Sequence, residues 1–570
     1  MKARSGSPAA CVALAACLVS CAHAVAPAGG HALVIRGGAI HTMDPAQPVA
    51  QVAVAVAGRW TCVGDEARCG SKVPAGAEVI DLHGGSALPG LADAHGHVSA
   101  LGAAMVSVDL QGARDEAECV QRIAERARAT SAEREPGAAE AGAPRWVVAR
   151  GWDQTRWPSR RFPGLEALSA AVPDRPVVAF RVDGHAVWAN AKALALAGIG
   201  PATHDPEGGR IVRGPDGAPT GVLVDNAEGL LLRHLPARTP EQTERALLGA
   251  LNHLLALGIT SVHDAGVDAA TLAVYRGLAE RHALPLHVYA MIDGQAPMPE
   301  VKAAMDAWRA TPRVGRLTVR AVKMYADGAL GSRGALLFQP YSDDPSTIGL
   351  AVTPAVELRS RILEVSRAGY QPAVHAIGDR AVHDVLTDFL AASQLAPALR
   401  PRVEHLQILD PSDLAALVAS HAVASMQPTH ATSDGPWAEE RLGHGTDRQR
   451  GSYAWRTVLA AHVPLACGSD FPVEDPDPFA GIRSAVLRTW PGGPPGGWMP
   501  EQRMTLDEAL HCFTTGAAYA EGAEAERGRI AEGYVADAAI LTVDPSAGVE
   551  HLDKTALTTT IVEGEIAWHR

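Results

Sequence analysis

The sequence lacks the excess of basic residues that proteins binding nucleic acid carry. Lysine and arginine together number 50, against 63 aspartate and glutamate residues, which gives a formal net charge of −13 and a pI of about 6.0. A chain with this charge has no excess of basic residues that would attract the phosphates of a nucleic acid. We therefore predict a small-molecule substrate as the partner, and no nucleic acid.

The sequence also lacks the polar composition of a disordered chain. Hydrophobic residues make up 47% and charged residues 20% of the 570 positions, as expected for a globular enzyme with a large buried core. A chain of this length could hold three ordinary domains, but α/β barrels often exceed about 250 residues as one unit. We therefore expect fewer and larger domains.

Cysteine is scarce, and none of the five cysteines beyond the first 24 residues has the spacing of a zinc site. Three lie within the first 24 residues, and the others are Cys62, Cys69, Cys119, Cys467 and Cys512. In an oxidising compartment Cys62 and Cys69 could close a small loop, so a disulfide between them is left open. We expect the other three to be buried apolar side chains.

The apolar stretch at the N-terminus is too short to span a bilayer as a mature helix. It has a positive start at Lys2 and Arg4, apolar residues from Ala9 to Val19, and a small-residue cleavage site, which is the pattern of an export signal at residues 1–24. The segment ending at Cys21 resembles a lipobox, so a lipid anchor and soluble release both stay open. We predict an exported protein that is periplasmic, attached to the cell envelope or secreted.

Two kinds of segment follow the signal. Residues 31–87 and 525–570 contain short alternating strands, which predicts that the two ends of the chain meet in one small β-sandwich domain. Residues 88–524 alternate eight apolar β-like runs with helix-like stretches, which predicts an α/β fold of the (β/α)₈ TIM barrel type. The interval between the first two runs is too long for one βα unit. We therefore predict a large insertion after the first strand, at about residues 107–245.

Six polar side chains stand at the ends of the apolar runs, where hydrophobic packing gains nothing from them. They are His95, His97, Lys323, His375, His405 and Asp470. His95 and His97 point the same way off one strand, because side chains alternate with a period of two. Barrel enzymes build their sites where the carboxyl ends of the strands meet. We predict that the six side chains converge there.

Nine motifs spread over almost the whole chain after the signal carry a family resemblance. They are ALPGLADAHGHV, RGWDQTRWP, RPVVAFRVDGHAVWANAKAL, VKMYADGALGSR, AVHAIGDRAV, RVEHLQ, SMQPTH, GSDFPVEDPDPF and EGYVADAAIL. With these motifs in this order, the chain resembles the amidohydrolase superfamily (amidohydrolase family 3). The resemblance is to the branch of large proteins similar to the bacterial YtcJ protein and to N-substituted formamide deformylase.

The resemblance implies a site for one or two divalent metal ions. By similarity, the ligands of one metal are His95, His97 and Asp470, those of the other are His375 and His405, and Lys323 bridges both as a carboxylated lysine. Asp470 is also the implied general base. Imidazole and carboxylate groups suit Zn²⁺, which is the expected cofactor, although other divalent ions compete for such ligands.

Lys323 requires a chemical explanation, because an ammonium group cannot ligate a cation and its burial beside one would be strongly unfavourable. Reaction with CO₂ would convert the amine into an anionic carbamate that can hold two metals. The alternative is that Lys323 pairs with Asp327 in a surface-facing ion pair.

The insertion carries the mixture of aromatic and polar residues that lines small-molecule pockets. The candidate substrate-binding residues are Trp152, Asp153, His185 and Asn190 from the insertion, with Asp327 and His430 from the barrel. An alternative stays open, in which the tryptophans pack the core of the insertion itself.

We predict hydrolysis of a non-peptide C–N bond, in an amide, N-acyl or formamide substrate, by a metal-activated hydroxide. One alternative is a metal-dependent ester or phosphotriester hydrolase, since related barrels carry out such reactions. Another is a non-catalytic envelope protein that binds a metal or ligand, although such a protein needs no base at Asp470. The sequence leaves open the physiological substrate, the native metal and the oligomeric state, a homo-oligomer included.

Overall fold

The computed structural model of the protein describes residues 31–130 and 145–570. The predicted export signal, residues 1–24, lies outside these ranges. Within them, no helix is both long enough and apolar enough to cross a membrane.

The first described segment forms short strands before the barrel begins. Its elements are β1 Ala32–Arg36, β2 Ala39–His41, β3 Val49–Ala50, β4 Val52–Val56, β5 Arg59–Gly64, α1 Glu66–Cys69, β6 Glu78–Asp81 and β7 Ser86–Pro89. Strand β1 pairs antiparallel with β4 and parallel with β6, which gives a four-stranded sheet in the order β5-β4-β1-β6.

The first barrel strand is followed by a large folded excursion. These elements are β8 Leu91–Gly96, α2 Val98–Ala104, β9 Val108–Asp109, α3 Glu116–Ala129, β10 Val147–Trp152, α4 Leu165–Ala171, β11 Val177–Arg181, β12 Ala186–Ala189, α5 Ala191–Ala197, β13 Gly209–Arg213, β14 Pro219–Asp225 and α6 Gly229–Leu232. Strands β9 to β14 form their own sheet, in the order β13-β14-β12-β11-β10-β9. We call residues 108–130 and 145–232 the inserted module.

The remaining barrel elements alternate strand and helix. They are α7 Pro240–Leu255, β15 Ile259–Val267, α8 Ala269–Glu280, β16 His287–Asp293, α9 Met298–Arg309, β17 Arg313–Val314, β18 Leu317–Tyr325, α10 Ala355–Arg367, β19 Gln371–Ala376, α11 Asp379–Leu395, β20 Arg402–His405, α12 Leu414–Ala419, β21 Val423–Met426, α13 Pro428–Leu442, α14 Asp447–Arg450, α15 Trp455–Ala460, β22 Leu465–Cys467 and α16 Pro478–Leu487. The eight runs predicted as barrel strands correspond to β8, β15, β16, β18, β19, β20, β21 and β22.

These eight strands are parallel neighbours in one sheet, in the order β8-β15-β16-β18-β19-β20-β21-β22. The two edge strands come together through the segment after β22. Asp470 donates its backbone N–H to the carbonyl of His95, at 2.7 Å, and His97 donates to the carbonyl of Phe471, at 2.9 Å. The sheet is therefore a nearly closed barrel, which confirms the predicted TIM-type architecture.

Helix α7 illustrates how the sequence sets a barrel helix. Thr239 and Gln242 form a capping box at its N-terminus, and Pro240 occupies the first turn, where its missing N–H costs nothing. Leu247, Leu251 and other buried leucines lie on one face at helical spacing. This face belongs to the main core, so the helix is part of the barrel although it begins within the predicted 107–245 insertion.

The C-terminal segment returns to the first one. Its elements are α17 Leu506–His511, α18 Ala517–Glu521, β23 Ala538–Leu541, β24 Leu557–Val562 and β25 Glu565–His569, with a π-helical turn at Cys512–Gly516. Strand β23 pairs antiparallel with β7, which gives a sheet in the order β25-β24-β23-β7-β2-β3. Side chains of both terminal sheets, among them Leu33, Trp60, Ile540 and Ile561, share one apolar core.

The cysteines differ in part from expectation. Cys62 and Cys69 are joined by a disulfide. Cys467 and Cys512, expected to be apolar side chains, form a second disulfide, because the fold brings the end of β22 against the π-helical turn. Cys119 is free and buried in the inserted module, as expected.

Candidate active site and metal centre

The six polar side chains predicted at strand ends lie together at the carboxyl rim of the barrel. They are His95 in β8, His97 just after it, Lys323 in β18, His375 in β19, His405 in β20 and Asp470 after β22. Five of them line a common cavity, and His95 is fully buried beside them. Residues distant in sequence thus meet because parallel strands end at one rim.

His95, His97 and Asp470 form a first potential ligand group. Oδ1 of Asp470 lies 3.2 Å from Nε2 of His97 and 3.6 Å from Nε2 of His95. This oxygen is buried and accepts no hydrogen bond from any described residue. A buried carboxylate oxygen is costly unless it is paired. A cation shared by the three side chains would supply the missing partner, so these residues fit a metal ion.

A second potential ligand group consists of His405, His430 and Asp470. Oδ2 of Asp470 lies 3.5 Å from Nε2 of His430. The His375 ring is 4.5 Å from the His405 ring, but its Nε2 lies 3.4 Å from the carbonyl oxygen of Gly328. The structure thus brings His430, proposed from the sequence as a substrate contact, into the group in which His375 was expected.

Lys323 is fully buried. Its Nζ lies 3.2 Å from Nε2 of His95 and 4.4 Å from the centre of the Tyr325 ring, and no described carboxylate forms an ion pair with it. The suggested surface pair with Asp327 is therefore absent. Burial lowers the pKa of Lys323 to about 8, so an appreciable fraction of the amine is uncharged near neutral pH.

Asp327 does not line the cavity, although its Oδ1 lies 3.4 Å from Nε2 of His375, which does. It is fully buried, and its carboxylate accepts backbone N–H groups of Leu336, Ile377 and Gly378 at 2.8–3.0 Å. The prediction that Asp327 binds substrate therefore does not hold. Its oxygens are used to tie the loop after β18 to the loop after β19.

Three of the histidines are oriented by partners behind them. Nδ1 of His95 lies 2.5 Å from Oε2 of Glu404, Nδ1 of His97 lies 2.9 Å from the carbonyl oxygen of Ala265, and Nδ1 of His405 lies 2.9 Å from Oε1 of Gln427. With Nδ1–H donated to an oxygen, each Nε2 keeps its lone pair for the rim. This is how metal-binding imidazoles are held in the correct tautomer.

Glu404 is itself held by a buried arginine. Nε of Arg402 lies 2.7 Å from Oε1 of Glu404, and the same guanidinium donates to the carbonyl of Ala94 and the hydroxyl of Ser425. Burial would raise the pKa of Glu404, but the charges of Arg402 and His95 outweigh it and hold the pKa well below its usual range. Glu404 is therefore a carboxylate behind His95.

The surroundings of His430 favour its charged form. Burial disfavours its charged form, but hydrogen bonds to Asp470 and Glu474 outweigh burial and raise the pKa of His430 to about 10. Burial likewise opposes the charge of Asp470, while the neighbouring His430 and His97 lower its pKa well below the usual value. In the metal-free protein the pair is thus an imidazolium and a carboxylate.

The inserted module supplies one wall of the site through the loop between β11 and β12. His185 lines the cavity, and its Nδ1 lies 2.7 Å from Oδ1 of Asp225. Nε2 of His185 is left for the cavity. At the end of β11, Arg181 pairs with Asp153 at 2.8 Å and with Asp183. Asp153 and His185 therefore both line the cavity, and their role as substrate contacts stays a prediction.

Trp152 and Asn190 do not line the cavity. Trp152 is fully buried against Trp157 and Phe162, and its ring N–H donates to the carbonyl of Ala179. Asn190 is fully buried and caps α5, with its side chain bound to the backbone. The prediction that these two residues bind substrate does not hold. They stabilise the inserted module, which is the alternative left open for the tryptophans.

Several polar residues of the site were not predicted from the sequence: Arg150, Arg181, Asp225, Arg402, Glu404, Asp434 and Glu474. Arg402 and Glu404 could have been found, since two charged residues in a four-residue strand of a closed barrel cannot both avoid burial. Asp225 and the inserted-module arginines gave no such signal, because their role depends on how the module docks on the barrel.

The cavity has two lobes of about 300 Å³ and about 650 Å³ that share lining residues, among them His185, His375, His405 and Asp470. Volumes of this size suit small organic molecules. A nearly closed α/β barrel with clustered histidines and an aspartate at its carboxyl rim defines a metal-dependent hydrolase of the amidohydrolase type.

The comparisons with known proteins agree with this class. Residues 78–567 match the amidohydrolase family (Amidohydro_3). The putative amidohydrolase YtcJ of Bacillus subtilis is 32% identical over 507 residues, covering 86% of this chain and 91% of the relative. N-substituted formamide deformylase of Arthrobacter pascens is 27% identical over 559 residues, covering 94% and 98%. The crystal structure of an uncharacterised metal-dependent hydrolase from Pyrococcus horikoshii matches with a TM-score of 0.71 at 27% identity, covering 92% and 99%.

The chain belongs to the amidohydrolase family. It is accordingly a hydrolase of the class that acts on carbon–nitrogen bonds other than peptide bonds.

Replacing Glu404 with Gln tests whether the buried carboxylate orients His95. We expect Glu404→Gln to weaken zinc binding by about 10- to 100-fold, because the amide no longer fixes the tautomer of His95. Competition with a chromogenic chelator measures the affinity. Glu364→Gln, at an exposed ion pair with Lys302, is the control and should bind zinc like the parent protein. Equal affinity in both variants, with unchanged thermal melting, would contradict the role of Glu404.

Proposed function

We propose that the protein hydrolyses a non-peptide amide bond, of the N-acyl or formamide type, in a small molecule. The observation that carries the proposal is the position of Asp470. One of its buried oxygens faces His95 and His97, and the other faces His430. A carboxylate in this position, at the wall of a cavity, can both help to hold a cation and accept a proton.

Zinc is the proposed cofactor, as one or two ions, because the donor set consists of imidazole and carboxylate groups. When bound, such an ion polarises a carbonyl group and lowers the pKa of water towards about 7. The residues proposed to hold it are His95, His97 and Asp470 at one position, and His375, His405 and His430 around the other.

The chain's own residues would then complete the reaction. Asp470 takes a proton from the attacking water and returns it to the leaving nitrogen, so that an amide and water yield a carboxylic acid and an amine. His185 faces the same cavity with its ring fixed by Asp225. We propose that its free Nε2 orients the amide through a hydrogen bond. The two lobes at Asp470 can accommodate the two substituents of the amide.

Lys323 is proposed to act as a carbamate. Its uncharged amine attacks CO₂, a C–N bond forms, and the nitrogen loses a proton to solvent. The resulting anion replaces a cationic group that would repel metal ions among the histidines. The full burial of Lys323 and its lowered pKa of about 8 support this proposal, because the amine must be neutral to react.

A substrate panel tests the proposed reaction. Zinc-loaded protein is offered N-formyl and N-acetyl amines, aryl esters and a phosphotriester. We expect kcat/KM for the amides to exceed kcat/KM for the aryl esters and for the phosphotriester. Asp470→Asn should lower kcat for the amides by about 10²- to 10⁴-fold through loss of the base, and His97→Ala should lower bound zinc as well. Faster turnover of esters or the phosphotriester would favour the alternative hydrolases, and no turnover with full zinc binding would favour a binding protein.

Substitution of Lys323 tests the carbamate. With carbon-13-labelled bicarbonate, the parent protein should give a carbamate NMR signal that is absent in Lys323→Ala. The variant should also lose most activity and bind less metal, and short carboxylic acids should restore part of both by occupying the vacated space. Lys302→Ala, at an exposed position, is the control and should retain the signal and the activity. A signal that persists in Lys323→Ala would contradict the assignment.

We also propose that the protein acts outside the cytoplasm after removal of residues 1–24. The two disulfides support this proposal, since such bonds persist in oxidising compartments. Intact-mass measurement of the protein recovered from its host should give a chain that begins at Cys21 with a lipid, or near Val25 without one. A mature chain that retains Met1 would contradict export.

A further inference from the structure

Arg150 is a half-buried arginine on the wall of the cavity, with no ion-pair partner among the described residues. It lies in β10, in register with Asp109 of β9 and Phe180 of β11. Its guanidinium stacks on the Phe180 ring, 4.0 Å from the centre. Within residues 31–130 and 145–570, its side chain forms no hydrogen bond or ion pair, and its Nε is buried without an acceptor.

The charged groups around Arg150 do not neutralise it. The carboxylate of Asp109 accepts the backbone N–H of Gln111, and that of Asp183 is engaged with Arg181. Glu228 is half-buried, and burial together with the charges of Asp225 and Asp183 raises its pKa well above the usual value, against the opposing charge of Arg150. None of these three carboxyl groups forms an ion pair or hydrogen bond with the Arg150 guanidinium.

Arg150 itself remains charged. Burial, with a smaller contribution from Arg238, lowers the pKa of Arg150 to about 10, which still leaves a full positive charge near neutral pH. A half-buried charge without an ion-pair partner loses hydration that no protein group replaces. Its retention at a cavity wall is understandable if a ligand supplies the counter-charge, as arginine does with planar oxyanions through two parallel hydrogen bonds.

Arg150 lines the same lobe of the cavity as several candidate metal ligands. The larger lobe of about 650 Å³ is lined by Arg150 and Phe180 and also by His97, Lys323 and Asp470. One small molecule can therefore contact both the guanidinium and the candidate metal ligands. Asp109 and Asp183 line the same lobe, and their negative charges favour a singly charged carboxylate over a doubly charged phosphate.

We propose that Arg150 is a specificity-determining residue that binds a carboxylate of the substrate, so that the protein selects amides bearing a carboxylate, such as N-acyl amino acids. Phe180 holds the guanidinium plane in place for this contact. The identity of the cleaved bond rests on the proposed function, whereas the anion site does not.

Matched pairs of substrates test the proposal. N-formyl and N-acetyl amino acids are compared with their carboxamides, which have the same shape but no charge. In zinc-loaded Arg150→Gln, we expect KM for the carboxylates to rise by about 10- to 100-fold, as for loss of a charged hydrogen bond. The kcat/KM for the carboxamides should change less than about threefold. Arg150→Lys should recover part of the discrimination through its charge.

Arg276→Gln is the matched control. Arg276 also stacks on an aromatic ring, Trp308, at 4.0 Å, but it lines neither lobe. We expect this variant to keep the preference for carboxylates. If the parent protein hydrolyses carboxylates and carboxamides equally well, or if Arg150→Gln affects both alike, the proposal is overturned while the amidase function stands.

A binding measurement separates the proposal from the reaction. N-sulfonyl amino acids, which contain no cleavable carbonyl, and their carboxamides are titrated into metal-free protein by calorimetry. We expect the carboxylates to bind at least about 10-fold more tightly than the carboxamides, and this difference to vanish in Arg150→Gln. Such binding without turnover of any N-acyl compound would refute the proposed reaction and uphold the anion site. Equal binding of both compounds would refute the anion site.

Discussion

The closure of the barrel between its first and last strands holds the site together. The carboxylate of buried Asp93 accepts the backbone N–H of His95 and of Ser469 and the Ser469 hydroxyl. The backbone N–H of Asp470 donates to the His95 carbonyl at 2.7 Å. A Cβ at Gly468 would lie only 2.5 Å from the backbone nitrogen of His95, so only glycine allows this approach. Because these contacts join the two ends of the sheet, they also set the distance from Asp470 to the histidines of β8.

A buried ion pair beneath the rim supports one of the candidate metal ligands. Arg402 crosses the barrel interior and neutralises Glu404, which in turn orients His95. Removing either partner would leave the other charge buried without a counter-charge, which is costly. The pair therefore positions the imidazole before any ligand binds.

The barrel and the inserted module each contribute side chains to the site. The barrel carries the histidines and Asp470, whose positions follow from strand ends. The module contributes another wall, through Arg150 in β10, Arg181 at the end of β11 and His185 in the loop that follows. The backbone of Asp225, which supports His185, has φ of 50°, unusual for a residue with a side chain. Its carboxylate lies within 3 Å of where side chains at Gly328 and Gly334 would begin, so both must be glycine. Module and barrel are thus fitted closely together at the cavity.

The sequence by itself determined the eight-stranded barrel and the six polar side chains at its rim, because strand periodicity is local and parallel strands must end at one edge. It did not distinguish a pocket tryptophan from a core tryptophan, and Trp152 was placed in the pocket although it lies in the core of the module. Nor did it find the disulfide between Cys467 and Cys512, or the unpaired charge of Arg150. These features depend on which surfaces face each other after folding. Burial, pairing and cavity walls are properties of contacts between distant segments, and only the tertiary structure decided them.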